Sequence, residues 1–115
     1  TFNKNAAFYL GLSYYEGIIR EQNYNEAKKL FEWAASKNEH SEALFYLGYI
    51  EYNGIIEPVN IPNAIDLFEK SALLSNKDAN FYLGYIYYTG LGVEKNYKKA
   101  IDYFEIASNN GNHEA

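Results

Sequence analysis

The residues best suited to metal binding or acid–base chemistry are the two histidines, His40 and His113, which lie far apart in the sequence. A metal ion needs three or four ligands that converge on one point, and two isolated histidines do not supply them. We therefore predict that both are surface histidines and that the segment binds no metal. The sequence contains no cysteine, which excludes disulfide bonds, thiolate ligands and thiol catalysis.

Other sequence patterns associated with catalysis are incomplete. Gly90-Leu-Gly92 lacks both the third glycine of a dinucleotide loop and the Lys-Ser/Thr of a phosphate loop. No serine is followed by lysine three residues later, so the sequence has no Ser-x-x-Lys nucleophile. Carboxylates alternate with lysines in a way that is typical of a solvated helix face. We predict no catalytic residues and no cofactor in this segment.

Tyrosine is the remaining residue type with a chemical signature, since the 115 residues include thirteen tyrosines. Its ring offers a large rigid surface and its hydroxyl a hydrogen bond, and tyrosine is enriched at binding surfaces. The net charge of −5 argues against a nucleic-acid partner, which needs a basic face. No apolar run approaches the ~20 residues of a membrane span, so we predict no direct membrane insertion by this segment.

The tyrosines belong to an internal repeat. The segment Ala6-Ala-Phe-Tyr-Leu-Gly11 recurs as Ala43-Leu-Phe-Tyr-Leu-Gly48 and as Ala79-Asn-Phe-Tyr-Leu-Gly84. A further glycine, an alanine and a phenylalanine follow in the same phase in each copy. This spacing predicts an N-terminal extension, three repeats and the start of a truncated fourth repeat, over residues 1–5, 6–42, 43–78, 79–114 and 115.

Each repeat is predicted to form two helices, called helix A and helix B. Helix A of the first repeat is expected to run from about Ala6 to Glu16 and to end at Gly17. Ser41 and Asp78 are expected to be the N-caps of the next two copies. Helix B is expected over Asn25–Ser36, Asn63–Leu74 and Lys98–Asn109. Short helix pairs stacked on their neighbours predict an all-α fold, an α/α solenoid of three repeats.

The repeat resembles the SEL-one-like repeat (SLR) family, a relative of the tetratricopeptide repeat. The third repeat carries the family pattern in Tyr82-Leu-Gly84, Tyr88-Thr-Gly-Leu-Gly-Val93 and Tyr97-Lys-Lys-Ala100, followed by Ala107. The first two repeats depart from it, with Ile19 and Ile56 in place of the second turn glycine. The resemblance implies a right-handed superhelix, a concave groove on the helix A side, and adaptor roles in protein assembly.

Two rows of helix A tyrosines are expected to face away from helix B, toward the groove that the resemblance implies. We predict that the partner-binding residues are Tyr15, Tyr49, Tyr52, Tyr85 and Tyr88, with Glu16, Asn53 and Thr89 at the rim. Mere lining of the groove remains an alternative for these rows. The Phe8 and Tyr9 series are expected to pack between repeats. Glu51 is expected to pair with a lysine or to reach solvent, with a groove acid as the alternative.

The sequence therefore favours a protein–protein interaction scaffold that binds a peptide or a partner domain through its tyrosine-rich face. A ligand carrying a cation or an aromatic group would suit an acidic groove of this kind. The alternative is a purely structural spacer within a longer repeat array. The sequence indicates neither an oligomeric state nor a cellular compartment.

Overall fold

The computed structural model describes residues 3–18 and 21–109, and these form six α-helices without a β-strand. The helices are α1 (Lys4–Glu16), α2 (Tyr24–Ala34), α3 (Ser41–Asn53), α4 (Ile61–Leu73), α5 (Lys77–Thr89) and α6 (Tyr97–Asn109). A single 3-10 turn, Ser36–Asn38, follows α2. The all-α prediction is confirmed, and α1, α3 and α5 are the three copies of helix A. Lys4 and Asn5, assigned above to an extension, are the first residues of α1.

The helices stack as three hairpins. Each helix A packs most extensively on the helix B that follows it, and helix B then packs on the helix A of the next hairpin. The array is elongated, with principal extents of 42 × 29 × 26 Å. Two buried clusters, one at each junction between hairpins, form its core. The structure is therefore the α-solenoid of three repeats that the sequence predicts.

Asparagine begins five of the six helices, and this feature was missed from the sequence. A side-chain amide oxygen accepts a backbone N–H of the first turn at Asn3, Asn23, Asn60, Asn76 and Asn96. Such a bond satisfies one of the donors that a helix N-terminus leaves unpaired. The prediction of Ser41 and Asp78 as caps was wrong, because α3 and α5 begin one or two residues earlier.

His40 caps α3 and is not the surface histidine that we predicted. Only 8% of its surface is exposed, and its ring lies 4.9 Å from that of Phe8. Its Nδ1 accepts the backbone N–H of Ala43 at 3.2 Å, and its Nε2 is 2.9 Å from Asn5 Oδ1. Since Nδ1 accepts, Nε2 carries the proton and donates to Asn5. The ring thereby joins the starts of α1 and α3.

A glycine in each helix A allows close approach to helix B. A Cβ added at Gly84 would lie 2.7 Å from Phe104 ring carbons, and one at Gly48 would lie 2.8 Å from Phe68 ring carbons. Each phenylalanine ring therefore occupies the space where any other residue would place its side chain. Helix A ends, as predicted, at a glycine with positive φ, which is +67° at Gly17.

Glu51 lies in the core and not in a groove. It is 9% exposed, its Oε1 accepts a 3.4 Å hydrogen bond from Asn63 Nδ2, and its carbonyl oxygen accepts the N–H of Asn60. The expectation of a lysine partner or of solvent contact was wrong, because this position of α3 faces the start of α4.

We predict that His40→Ala lowers the free energy of unfolding by about 1–2 kcal/mol, since it removes the cap of α3. His40→Asn should retain most of the stability, because asparagine fills the equivalent positions 3 and 76. Urea denaturation, monitored by circular dichroism, measures the free energy of unfolding of both variants. Equal losses for the two variants would contradict the capping role.

We predict that Gly84→Ala destabilises the chain, because overpacking against Phe104 costs about 1–3 kcal/mol. The gain in helix propensity, about 1 kcal/mol, offsets only part of that cost. Gly11→Ala is the matched comparison and should cost less, because its new Cβ would meet no atom closer than 3.1 Å. A Gly84→Ala protein more stable than the Gly11→Ala protein would refute the close-approach argument.

Candidate functional site

One aromatic contact recurs at both junctions between repeats. The ring of Tyr46 stacks on Phe31 of the preceding helix B at 5.3 Å and 24°, and Tyr82 stacks on Phe68 at 5.6 Å and 20°. The expectation that the Tyr9 series packs between repeats is confirmed for these two members. Tyr9 itself has no preceding repeat in the described chain, and 60% of its surface is exposed.

A second row of tyrosines closes each stack from the side. The edge of Tyr15 meets Tyr46 at 5.4 Å and 73°, and Tyr52 meets Tyr82 at 5.5 Å and 71°. Tyr15 also lies 6.1 Å from Phe31, on helix B of its own repeat. Each junction therefore has the same three-ring arrangement of one phenylalanine and two tyrosines.

The Tyr15, Tyr52 and Tyr88 row does not point away from helix B, so that expectation was wrong. Tyr15 follows Gly11 by four residues, which places it only about 40° around the helix from the face that contacts α2. Tyr9 precedes Gly11 by two residues and lies about 160° away. The face opposite helix B is thus marked by the Tyr9 series, which includes Tyr46 and Tyr82.

An open cavity of about 410 Å³ is lined by residues of all three copies of helix A, including Tyr46 and Tyr82. We call it the tyrosine groove, and its residues are Tyr15, Phe45, Tyr46, Tyr49, Tyr82 and Asp78. It brings together two of the predicted binding tyrosines, Tyr15 and Tyr49. Phe45, Tyr46, Tyr82 and Asp78 were not among the predicted site residues.

The other predicted tyrosines do not line the groove. Tyr52 is half-buried beside Tyr82, whereas 44% of Tyr85 and 53% of Tyr88 are exposed. Tyr88 lies 5.2 Å from Tyr97 at the start of α6. These three tyrosines thus lie in the C-terminal halves of α3 and α5, outside the groove lining.

The predicted rim residues are exposed, but two of them are hydrogen-bonded to their own helix. Asn53 Nδ2 donates to the carbonyl oxygen of Tyr49 at 3.0 Å, and Thr89 Oγ1 donates to that of Tyr85 at 2.9 Å. Glu16 is exposed at the C-terminal end of α1. Among the three, Glu16 therefore offers a charge to the groove.

The pKa values of three groove tyrosines, Tyr15, Tyr46 and Tyr82, are raised above the ordinary value for tyrosine. Burial, and then the neighbouring tyrosines, raise the pKa of Tyr15 to about 12. Burial is also the main reason why the pKa of Tyr46 is raised, followed by the negative charges of Glu16, Glu42 and Asp78. Burial and the hydrogen-bonded Tyr49 raise the pKa of Tyr82. The groove is thus aromatic at its base and acidic around Tyr46.

A second cavity, of about 390 Å³, lies on the helix B side between α4, α5 and α6. Its polar side chains are already paired within the fold. Asn80 is buried and donates to the carbonyl oxygen of Asn76 at 3.1 Å, and the Tyr103 hydroxyl donates to Glu69. Burial and the Glu69 carboxylate raise the pKa of Tyr103 to about 12. The tyrosine groove is the better candidate, since it spans all three repeats.

Within residues 3–18 and 21–109, no three histidine, aspartate or glutamate side chains cluster as metal ligands. His113, the other histidine considered above, lies outside the described residues. No helix in the described part of the chain is long and apolar enough to cross a membrane.

Comparison with known sequences identifies the repeat. The Sel1 repeat model matches residues 4–39, 41–76 and 77–112, and each matched segment begins two residues before a predicted repeat. The predicted boundaries therefore remain one possible division of the array. No curated protein sequence matches the chain.

Solved structures share both the fold and part of the sequence. One is the protective antigen c5321 of uropathogenic Escherichia coli, described as displaying an SLR fold, and another is a Sel1 repeat protein from Oxalobacter formigenes. Each superposes with a TM-score of 0.89 at 32% identity over 96% of this chain. This chain spans 24% of the first protein and 44% of the second. The chain belongs to the Sel1 repeat family, because the family model matches all three repeats and the fold and the repeated motif are consistent with that match.

Proposed function

We propose that the chain is a protein-interaction scaffold that binds an extended segment of a partner protein in the tyrosine groove. Sel1 repeat proteins generally serve as non-catalytic interaction scaffolds, which supports the general role. The observation that carries the specific proposal is the open cavity lined by five aromatic rings and Asp78 from α1, α3 and α5.

The groove is suited to binding because its rings are held in place before a partner arrives. Tyr46 and Tyr82 each have one face stacked on a phenylalanine, and Tyr49 is hydrogen-bonded to Tyr82 and meets its ring at 5.7 Å. Little side-chain freedom remains to be lost on association, which favours affinity. The protonated hydroxyls donate and accept hydrogen bonds with a peptide backbone.

Exposed groups beside the groove extend the proposed surface along the array. Tyr85 and Tyr88 add exposed aromatic surface toward the C-terminal end of α5, and Glu16, Asn53 and Thr89 lie at the ends of the three copies of helix A. An extended segment running across the helices would pass these residues in turn. We propose that they add contacts of lower energy around the groove.

A structural spacer within a longer array is the second candidate. It is favoured by the ring contacts of Tyr15, Tyr46, Tyr52 and Tyr82, which use tyrosine for packing between repeats. Under this hypothesis the groove follows from the packing and binds nothing. The two candidates differ in what happens when Tyr49, which lines the groove, and the exposed Tyr85 are truncated.

We predict that Tyr49→Ala/Tyr85→Ala reduces partner capture at least about tenfold, the effect of losing about 1.4 kcal/mol of binding energy. Capture is measured by incubating immobilised protein with extract of the source cells and quantifying each bound protein by mass spectrometry. Circular dichroism and urea denaturation verify that the variant is folded.

The matched control is Leu73→Ala/Ile101→Ala, which truncates two exposed apolar side chains on α4 and α6, outside the groove. This variant should capture the same proteins as the unmodified chain. Undiminished capture by the folded tyrosine variant would favour the spacer over the scaffold.

A further inference from the structure

We propose that the tyrosine groove recognises an arginine side chain of the partner segment. In this proposal the Asp78 carboxylate pairs with the guanidinium group, and the rings of Tyr46, Tyr49 and Tyr82 surround it. This inference rests on the proposed function, and it adds the chemical class of residue that the groove selects. Its basis is the charge around the groove together with the exposed aromatic surface.

The groove holds negative charge that the described fold does not neutralise. Glu16, Glu42 and Asp78 all act on the Tyr46 hydroxyl, and Asp78 lines the cavity directly. The ion pairs that residues 3–18 and 21–109 form use other carboxylates, which are Glu26, Glu39, Glu57 and Asp66. A cationic ligand would be attracted by Asp78 in the lining of the groove and by Glu16 and Glu42 near Tyr46, whereas an anionic ligand would be repelled.

Tyrosine rings stabilise a cation by the negative potential of their faces. The chain already contains such a contact outside the groove, where Lys99 Nζ lies 4.6 Å from the centroid of Tyr87. The groove offers five rings around one open space, and the chain places no lysine or arginine among the residues that line it. A basic side chain from a partner would thus meet both aromatic faces and a carboxylate.

Arginine fits this combination better than lysine does. The guanidinium group is planar, stacks on aromatic rings, and forms two parallel hydrogen bonds with one carboxylate. It is also less strongly hydrated than an ammonium group, so that its transfer into a partly buried aromatic site costs less. The groove lining contains both components, aromatic rings and the Asp78 carboxylate.

A random-peptide display library tests the inference, because it offers the groove every type of side chain in competition. Peptides are selected on the unmodified chain after removal of those that bind the Tyr49→Ala/Tyr85→Ala variant. The best peptide is then synthesised with arginine and with citrulline, its uncharged isostere. Both versions are measured by calorimetry against the unmodified chain, against Asp78→Asn, and against Glu105→Gln, which removes an exposed charge from α6.

We expect the selected peptides to be enriched in arginine and the citrulline version to bind about tenfold or more weakly. Asp78→Asn should weaken binding of the arginine peptide but leave the affinity for the citrulline peptide nearly unchanged, because only the arginine peptide interacts with the carboxylate. Glu105→Gln should bind both peptides as the unmodified chain does. Denaturation of each variant verifies the fold.

This inference would be overturned if the groove-specific peptides were not enriched in arginine, or if the arginine and citrulline versions bound equally. Either result would leave the proposed function standing. A library that yields no groove-specific peptide would overturn both.

Discussion

The stack of a tyrosine on the phenylalanine of the preceding repeat is the interaction on which this solenoid depends. Tyr46 on Phe31 and Tyr82 on Phe68 join helix B of one hairpin to helix A of the next with nearly the same geometry. In a repeat protein each unit contacts only its neighbours, so the interface between units decides whether the array holds together. The same phenylalanine of helix B also fills the space left by the glycine of its own helix A, as Phe68 does at Gly48. One ring thus fixes the packing within a repeat and between repeats.

The stacks also create the surface proposed for binding. Tyr46 and Tyr82 each rest one face on a phenylalanine and also line the groove, and burial raises the pKa of both hydroxyls. Stability and recognition therefore share the same side chains, which is why truncating Tyr46 or Tyr82 would disturb both. Tyr49 and Tyr85 carry less of the packing between repeats, and they separate the two roles more cleanly.

The sequence predicted the architecture because the repeat itself encodes it. Three copies in phase, each with a glycine inside helix A and another at its end, determine the hairpins and their order. The helix starts were less predictable, because an asparagine or histidine cap is defined by one hydrogen bond to a backbone N–H. His40 illustrates this, since its burial depends on Asn5 and Phe8, which lie far away in the sequence. The proposed groove lies on the helix A copies and includes two of the predicted tyrosines, Tyr15 and Tyr49, but its other tyrosines, Tyr46 and Tyr82, were not among the predicted residues. Counting positions from Gly11, the residue that contacts helix B, would have pointed to Tyr46 and Tyr82.

Mapping of chemical shifts by NMR reports whether a partner segment lies across the tyrosine groove. The aromatic resonances of the chain would be recorded during titration with a bound peptide. We expect the largest changes at Tyr46, Tyr49 and Tyr82. Changes confined to Tyr103, which lines the cavity on the helix B side, would show that the peptide does not bind in the tyrosine groove.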